Sequence, residues 1–242
     1  MKLNFTIILI FISILAFGQA DEYQNINSLY KGGKLQETLD KSTIELSRLS
    51  PSDTIYTKLL ELRAITFMDL SNFPSAIRDY QSLINLHPHI CDYYSNIFYA
   101  YWELGQDSIG YLFLQKGNKI NPTDLLILNN MSYYLGQVKK YEESIKYASI
   151  GLQQKNISDN MHSYLLNNRG YALICINKFE QGLEDINKSI AFNPDNSFSY
   201  CYRAMANIGL RQMTTVCSDL EKSKNLGAVK LTQFLRSQYC EK

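Results

Sequence analysis

Histidine and tryptophan are nearly missing from this 242-residue chain, at three and one. Three scattered histidines leave little material for metal or acid–base chemistry. Neither sign of charge is in excess, with 24 Lys+Arg against 23 Asp+Glu. That balance removes the field that would draw in nucleic acid or an anionic membrane. Five prolines and 12 glycines are too few for a collagen-like or low-complexity chain. What is present is a 45% hydrophobic fraction and a lopsided aromatic set, 18 Tyr and 11 Phe. Such a chain is not disordered, and by length it can bury the core of one or two domains.

Residues 1–20 read as an export address. Lys2 precedes an apolar stretch from Leu3 to Phe17, and Gly18-Gln19-Ala20 supplies small residues before Asp21. A basic start, a short apolar run and a small-residue end make a secretory signal peptide. The run is short for a membrane span, which takes about 20 apolar residues. Cleavage near Ala20 predicts an exported chain, periplasmic or secreted. The alternative is an uncleaved N-terminal anchor, the one case in which the protein would touch a membrane. No cysteine lies near the cleavage point, which argues against a lipid anchor. Beyond residue 20 the chain carries 23 charges of each sign.

The remainder has a period of 34. Asn85-Leu86-His87-Pro88, Lys119-Ile120-Asn121-Pro122 and Ala191-Phe192-Asn193-Pro194 each close a helical pattern in the same way. Proline cannot continue a helix, so it stops the second helix of a pair and starts the next turn. Framing on these prolines gives units at 57–90, 91–124, 125–158, 163–196 and 197–230, with residues 159–162 inserted. Residues 21–56 read as a degenerate N-terminal unit, its turn at Gly32-Gly33 and its second helix at 35–49. Residues 228–242 read as a C-terminal capping helix. Small residues at the eighth place of a unit, Ala64, Ser132, Gly170 and Ala204, suit a close helix crossing. Unit 91–124 has Phe98 there, with Gly110 and Gly117 opposite as a volume swap. Gly105, Gly136 and Gly209 fall at first-helix ends, where a positive φ is expected.

In these features the sequence resembles the tetratricopeptide repeat (TPR) family, and exported bacterial members in particular. Unit 163–196 carries Leu166, Gly170, Leu173, Phe179, Gly182, Ile186 and Pro194 at the signature places. Unit 57–90 carries Leu60, Ala64, Phe67, Phe73, Ala76, Tyr80 and Pro88. The resemblance implies an all-α, right-handed superhelical solenoid of antiparallel helix pairs with a capping helix. It also implies a concave groove lined by first helices.

On that face, Asn96, Asn130, Asn168 and Tyr202 occupy the sixth place, and Tyr99, Tyr133 and Tyr171 the ninth. Asn129, Asn167 and Trp102 add to it. Asn pairs with peptide amides, and Tyr brings apolar area with a polar tip. The pattern predicts a groove for a protein or extended peptide. The family's basic clamp for acidic chaperone tails is missing here.

Five cysteines remain: Cys91, Cys175, Cys201, Cys217 and Cys240. Similar exported TPR proteins often finish with the pattern seen in Cys217, Leu226-Gly227 and Tyr239-Cys240, which implies a bridge between Cys217 and Cys240. An antiparallel cap would bring the two together. The alternative is buried free thiols. His87 and His89 lack further metal ligands, Gly32-Gly33-Lys34 lacks phosphate-loop spacing, and no nucleophile–base pair is visible. The reading is a non-catalytic scaffold without cofactor, metal or nucleic acid. The alternative is a structural accessory of envelope assembly or secretion that meets a larger machine by its edges.

Overall fold

The backbone turns left-handed at Ser71, Gly105, Lys139, Asn177 and Arg211, with φ between 57° and 67°. These five lie 34 residues apart, save one step of 38 that contains the insertion. Each ends a helix in the same way. The N–H groups of Asn72, Gln106, Lys140, Lys178 and Gln212 donate to the carbonyls of Phe67, Tyr101, Leu135, Leu173 and Asn207. This six-to-one bond satisfies a carbonyl that the helix end would leave open, and it needs a left-handed residue just before it.

Only Gly105 therefore meets the positive φ expected of three glycines. Gly136 and Gly209 are helical, and Lys139 and Arg211 take the left-handed position instead. The two glycines serve packing. A Cβ on Gly209 would strike the Phe179 ring, and one on Gly136 would meet Ser144 and Tyr171. A left-handed residue with a side chain costs about 1 kcal/mol. Lys139→Gly combined with Arg211→Gly is thus expected to raise stability by about 1 kcal/mol, after the entropy glycine returns to the unfolded chain. The urea midpoint checks this, and a lower midpoint would refute it.

The computed structural model describes residues 21–228 and 230–241, so the export address at 1–20 lies outside the described residues. Among the described residues there are thirteen α-helices and no strand. They form two compact units divided between Phe113 and Leu114. The first holds α1 (21–31), α2 (Leu35–Leu46), α3 (Tyr56–Asp69), α4 (Phe73–Leu86) and α5 (Cys91–Glu103). Helix α6 (Asp107–Ile120) contains the dividing point. The second holds α7 (Leu125–Gln137), α8 (Tyr141–Leu152), α9 (Asp159–Cys175), α10 (Phe179–Phe192), α11 (Ser197–Gly209), α12 (Val216–Asn225) and α13 (Lys230–Tyr239). Helix α2 stops at Leu46 rather than running to Leu49. Arg48 N–H reaches back only three residues, to Glu45, and Pro51 follows.

Consecutive helices pack on each other from α2 to α5 and from α7 to α13, as tight turns require. In the first unit Ile26, Leu46, Leu59, Leu60, Ala76, Leu83 and Ile97 make the core. In the second, Ile174, Ile186, Ala204, Val216, Leu220 and Leu235 do. The crossing of α9 on α10 is close enough that glycines face each other. A Cβ at Gly182 would sit 2.9 Å from the Gly170 carbonyl oxygen and 2.6 Å from Ile174. Gly110 makes room for backbone rather than for the Phe98 ring, contrary to the volume swap. Its Cβ would lie 3.0 Å from the Phe98 carbonyl oxygen and 3.1 Å from Tyr101 Cβ.

Helix pairs are also clamped by charge. Arg63, Arg169 and Arg203 each grip the aspartate sixteen residues on, Asp79, Asp185 and Asp219, through both Nε and Nη2. All three aspartates are buried. In each arginine the Nη1 reaches further back, to Thr43, Ser149 and Asn187 respectively. The bidentate fork holds two helices in one register. In the two middle frames of 34 the same places hold Ile97 with Phe113 and Met131 with Tyr147.

Candidate functional site

In the second unit the first helix α9 packs directly on both α7 and α11. Asp124 caps α7 by accepting from the N–H groups of Leu126 and Ile127, and Ser158 caps α9 by accepting from Met161 N–H. These caps fix which residues face the common surface. Tyr133 on α7, Tyr171 on α9 and Tyr202 on α11 come together there. Tyr171 and Tyr202 stack with ring centres 4.5 Å apart, and Phe198 approaches Tyr202 at 6.1 Å. Tyr141 meets the Tyr171 ring edge-on.

The rings surround two hollows. The larger, about 330 Å³, is lined by Tyr133, Gln137, Tyr171, Phe198, Cys201 and Tyr202. Its far wall is Gly227, Ala228, Lys230, Leu231 and Thr232, where the chain enters α13. The smaller, about 220 Å³, is lined by Asn129, Tyr133, Tyr164, Asn167, Asn168, Asn196, Phe198 and Tyr202. Lys230 is the one charged residue among these lining residues. Burial pushes the Tyr202 and Tyr171 hydroxyls well above the usual range, and each lies near further ionisable neighbours. Burial also pushes the Cys201 thiol up to about 11. Apart from Lys230 the lining is therefore uncharged at neutral pH, apolar with hydroxyl tips.

The asparagines are drawn inward. Asn167 and Asn168 are 7% and 8% exposed. Asn168 Nδ2 donates to the carbonyl and Oδ1 of Asn129 and to Ser132 Oγ, which staples α9 to α7. Asn167 Oδ1 accepts from Ser199 Oγ, which staples α9 to α11. Asn129 Nδ2 donates to Asn130 Oδ1, and Asn130 lines neither hollow. Behind them Ser163, Ser189, Ser199 and Asn196 share a buried hydroxyl network. The amides thus hold the first helices in place, and the rings offer the free area.

The three remaining groove residues, Asn96, Tyr99 and Trp102, stand on α5 in the first unit. Tyr99 is exposed there, and Trp102 lies 6.0 Å from the Phe98 ring. Sequence reasoning missed Tyr164 and Phe198, which are 43% and 47% exposed. The signal was available, because both occupy the second place of consecutive units. That reasoning gave the capping helix at 228–242 but not that the start of that helix walls a hollow. Cys217 and Cys240 are joined by a disulfide with Cα atoms 5.7 Å apart, and Cys91, Cys175 and Cys201 take no part in that bridge. His87 Nε2 is 3.0 Å from Thr57 Oγ1, and among the described residues no His, Cys, Asp or Glu cluster could hold a metal ion. No described helix is long and apolar enough to cross a membrane.

Helix pairs whose turns recur at a spacing of 34 residues define a helical-repeat fold. No family model matches the sequence, and no curated protein does either. Solved structures do match. A tetratricopeptide repeat protein from Parabacteroides merdae superposes with a TM-score of 0.69 at 15% identity, covering 91% of this chain and 89% of that one. The APC/C hetero-tetramer Cut9–Hcn1 gives 0.73 at 13% identity, covering 92% of this chain and 43% of that one. PilW, a widely conserved type IV pilus biogenesis factor, gives 0.63 at 15% identity, covering 72% and 79%. The fold of this chain is the tetratricopeptide repeat fold, an all-α solenoid of helix pairs.

Proposed function

We propose that the protein is an exported, non-catalytic scaffold that binds a protein or extended peptide through the aromatic face of its second unit. The observation that carries this is the pair of hollows around Tyr133, Phe198 and Tyr202. Phe198 is half exposed, and the Tyr171–Tyr202 stack beneath it, with Tyr202 buried, is backed by a bonded amide wall, so little entropy is lost on binding. A hollow of about 330 Å³ accepts one large side chain of a partner. Apart from Lys230 the lining is uncharged, which suits an apolar segment. Asn96, Tyr99 and Trp102 on α5 form a second candidate contact in the first unit. Export rests on the composition of residues 1–20 and agrees with a disulfide, which persists in oxidising compartments. The biogenesis role named for PilW fits a scaffold reading.

Affinity purification from the envelope fraction, followed by titration of the partner recovered, tests the reading. Tyr133→Ala and Phe198→Ala should each weaken binding by about tenfold or more, as loss of a buried aromatic anchor does. Asn130→Ala should change it little. Full binding by both aromatic variants would favour the other arrangement, contact through the edges of the solenoid within a larger machine.

A further inference from the structure

The wall that closes the larger hollow is held at its far end by a covalent bond and along its length by few buried side chains. Helix α13 has ten residues, of which Thr232 and Leu235 are buried. Its other ties to α12 are a hydrogen bond between the Thr232 and Ser223 hydroxyls, at 2.9 Å, an ion pair between Arg236 and Glu221, and the packing of Leu235 in the cluster that holds Val216 and Leu220. A helix this short does not persist in water without tertiary support. Its first turn supplies Lys230, Leu231 and Thr232 to the hollow, and its far end is bonded through Cys240 to Cys217 on α12. Cys217 is exposed, so a reductant can reach the bridge. Cys201 lies under the wall, 1% exposed, with its thiol against the Thr232 hydroxyl.

We propose that the Cys217–Cys240 disulfide is a redox latch: closed, it holds α13 as the wall of the aromatic hollow; reduced, it lets α13 leave and the hollow open. The reductant is an external dithiol. Its thiolate attacks the Cys217 sulfur, the bond to Cys240 breaks, and Cys240 departs as a thiolate that takes a proton. The second thiol then displaces Cys217 from the mixed disulfide. The bridge gains two electrons and two protons, and the dithiol becomes a disulfide. Lability of this kind belongs to exposed bridges that tie down weakly anchored segments. The consequence for a partner rests on the binding proposed above, but the motion of α13 does not.

The test uses the full chain, oxidised and then treated with dithiothreitol, read by hydrogen exchange and by N-ethylmaleimide labelling. Protection of residues 230–239 should fall about a hundredfold, as expected when a crosslink over such a loop is lost. Labelling of Cys201 should rise with it, while exchange of α3 and α4 in the first unit stays the same. The variant Cys217→Ser with Cys240→Ser should behave like the reduced chain without any reductant. Unchanged protection of 230–239 with Cys201 still unlabelled would overturn the latch. So would exchange rising throughout the chain, because the bridge would then hold the fold rather than the wall. If α13 is released while Tyr133→Ala and Phe198→Ala bind partner normally, the latch stands and the binding reading falls.

Discussion

Asp185→Ala is expected to destabilise the second unit by about 3 kcal/mol, the low end of the cost of breaking a buried ion pair. The Asp185 carboxylate accepts from Arg169 Nε at 2.7 Å and Nη2 at 2.8 Å. Without it the guanidinium stays between α9 and α10 with one weak bond, from Nη1 to Ser149 at 3.4 Å. The Arg169 side chain keeps 27% of its exposure, so water recovers part of the loss and the upper end of the range is not reached. Replacing both partners should behave differently. Arg169→Met with Asp185→Tyr copies the pair that stands at the same places in frame 125–158, Met131 and Tyr147. That double variant should lie within about 1 kcal/mol of the natural chain, because no buried charge is left unpaired. Urea unfolding of the natural chain, both single variants and the double variant forms the cycle that measures the coupling. A double variant as unstable as Asp185→Ala would show that the clamp sets more than its own pairing.

Gly182→Ala is the second large effect, expected to cost about 3 kcal/mol by overpacking. The added methyl would sit 2.6 Å from Ile174 Cγ1, which can turn, and 2.9 Å from the Gly170 carbonyl, which cannot. The backbone of α10 must then move off α9. In a helical-repeat chain that strain stays with the neighbouring helices. Exchange should therefore quicken in α9, α10 and α11 and not in α3 or α4. A methyl accepted without loss of melting temperature would mean that the two helices can slide apart freely.

The helical grammar was legible because it is local. Pro88, Pro122 and Pro194 stop helices by their own covalent geometry, and a 34-residue period repeats that stop. The turns themselves carry the same logic. The Tyr94 and Tyr200 hydroxyls donate back to the Pro88 and Pro194 carbonyls, each six residues upstream. The left-handed position was misplaced for a physical reason. Glycine is the cheapest residue there, so the reading followed glycine to 136 and 209. The capping hydrogen bond decides the place, and it settles on Lys139 and Arg211 because the bond offsets their strain. The arginine clamps were legible but unread: arginine and aspartate sixteen apart occur three times in phase.

At the candidate site the division is similar. Period alone puts Tyr133 and Tyr171 at one place of successive units and Asn168 and Tyr202 at another. Period does not say whether an amide faces outward or bonds the next helix. Asn168 looked like an offered donor and is spent on Asn129 and Ser132, thirty-nine and thirty-six residues away. By itself, then, the sequence determined the helix pairs, their spacing, the small residues at the crossings and the neutral character of the chain. These follow from bonds, volumes and charges that each residue carries with it. Only the tertiary structure decided which polar groups are consumed, which rings stay open, and that a ten-residue helix at the end of the chain walls a hollow made by Tyr133, Tyr171 and Tyr202. Those depend on side chains from separate helices meeting in space, and a meeting of that kind leaves no periodic mark along the chain.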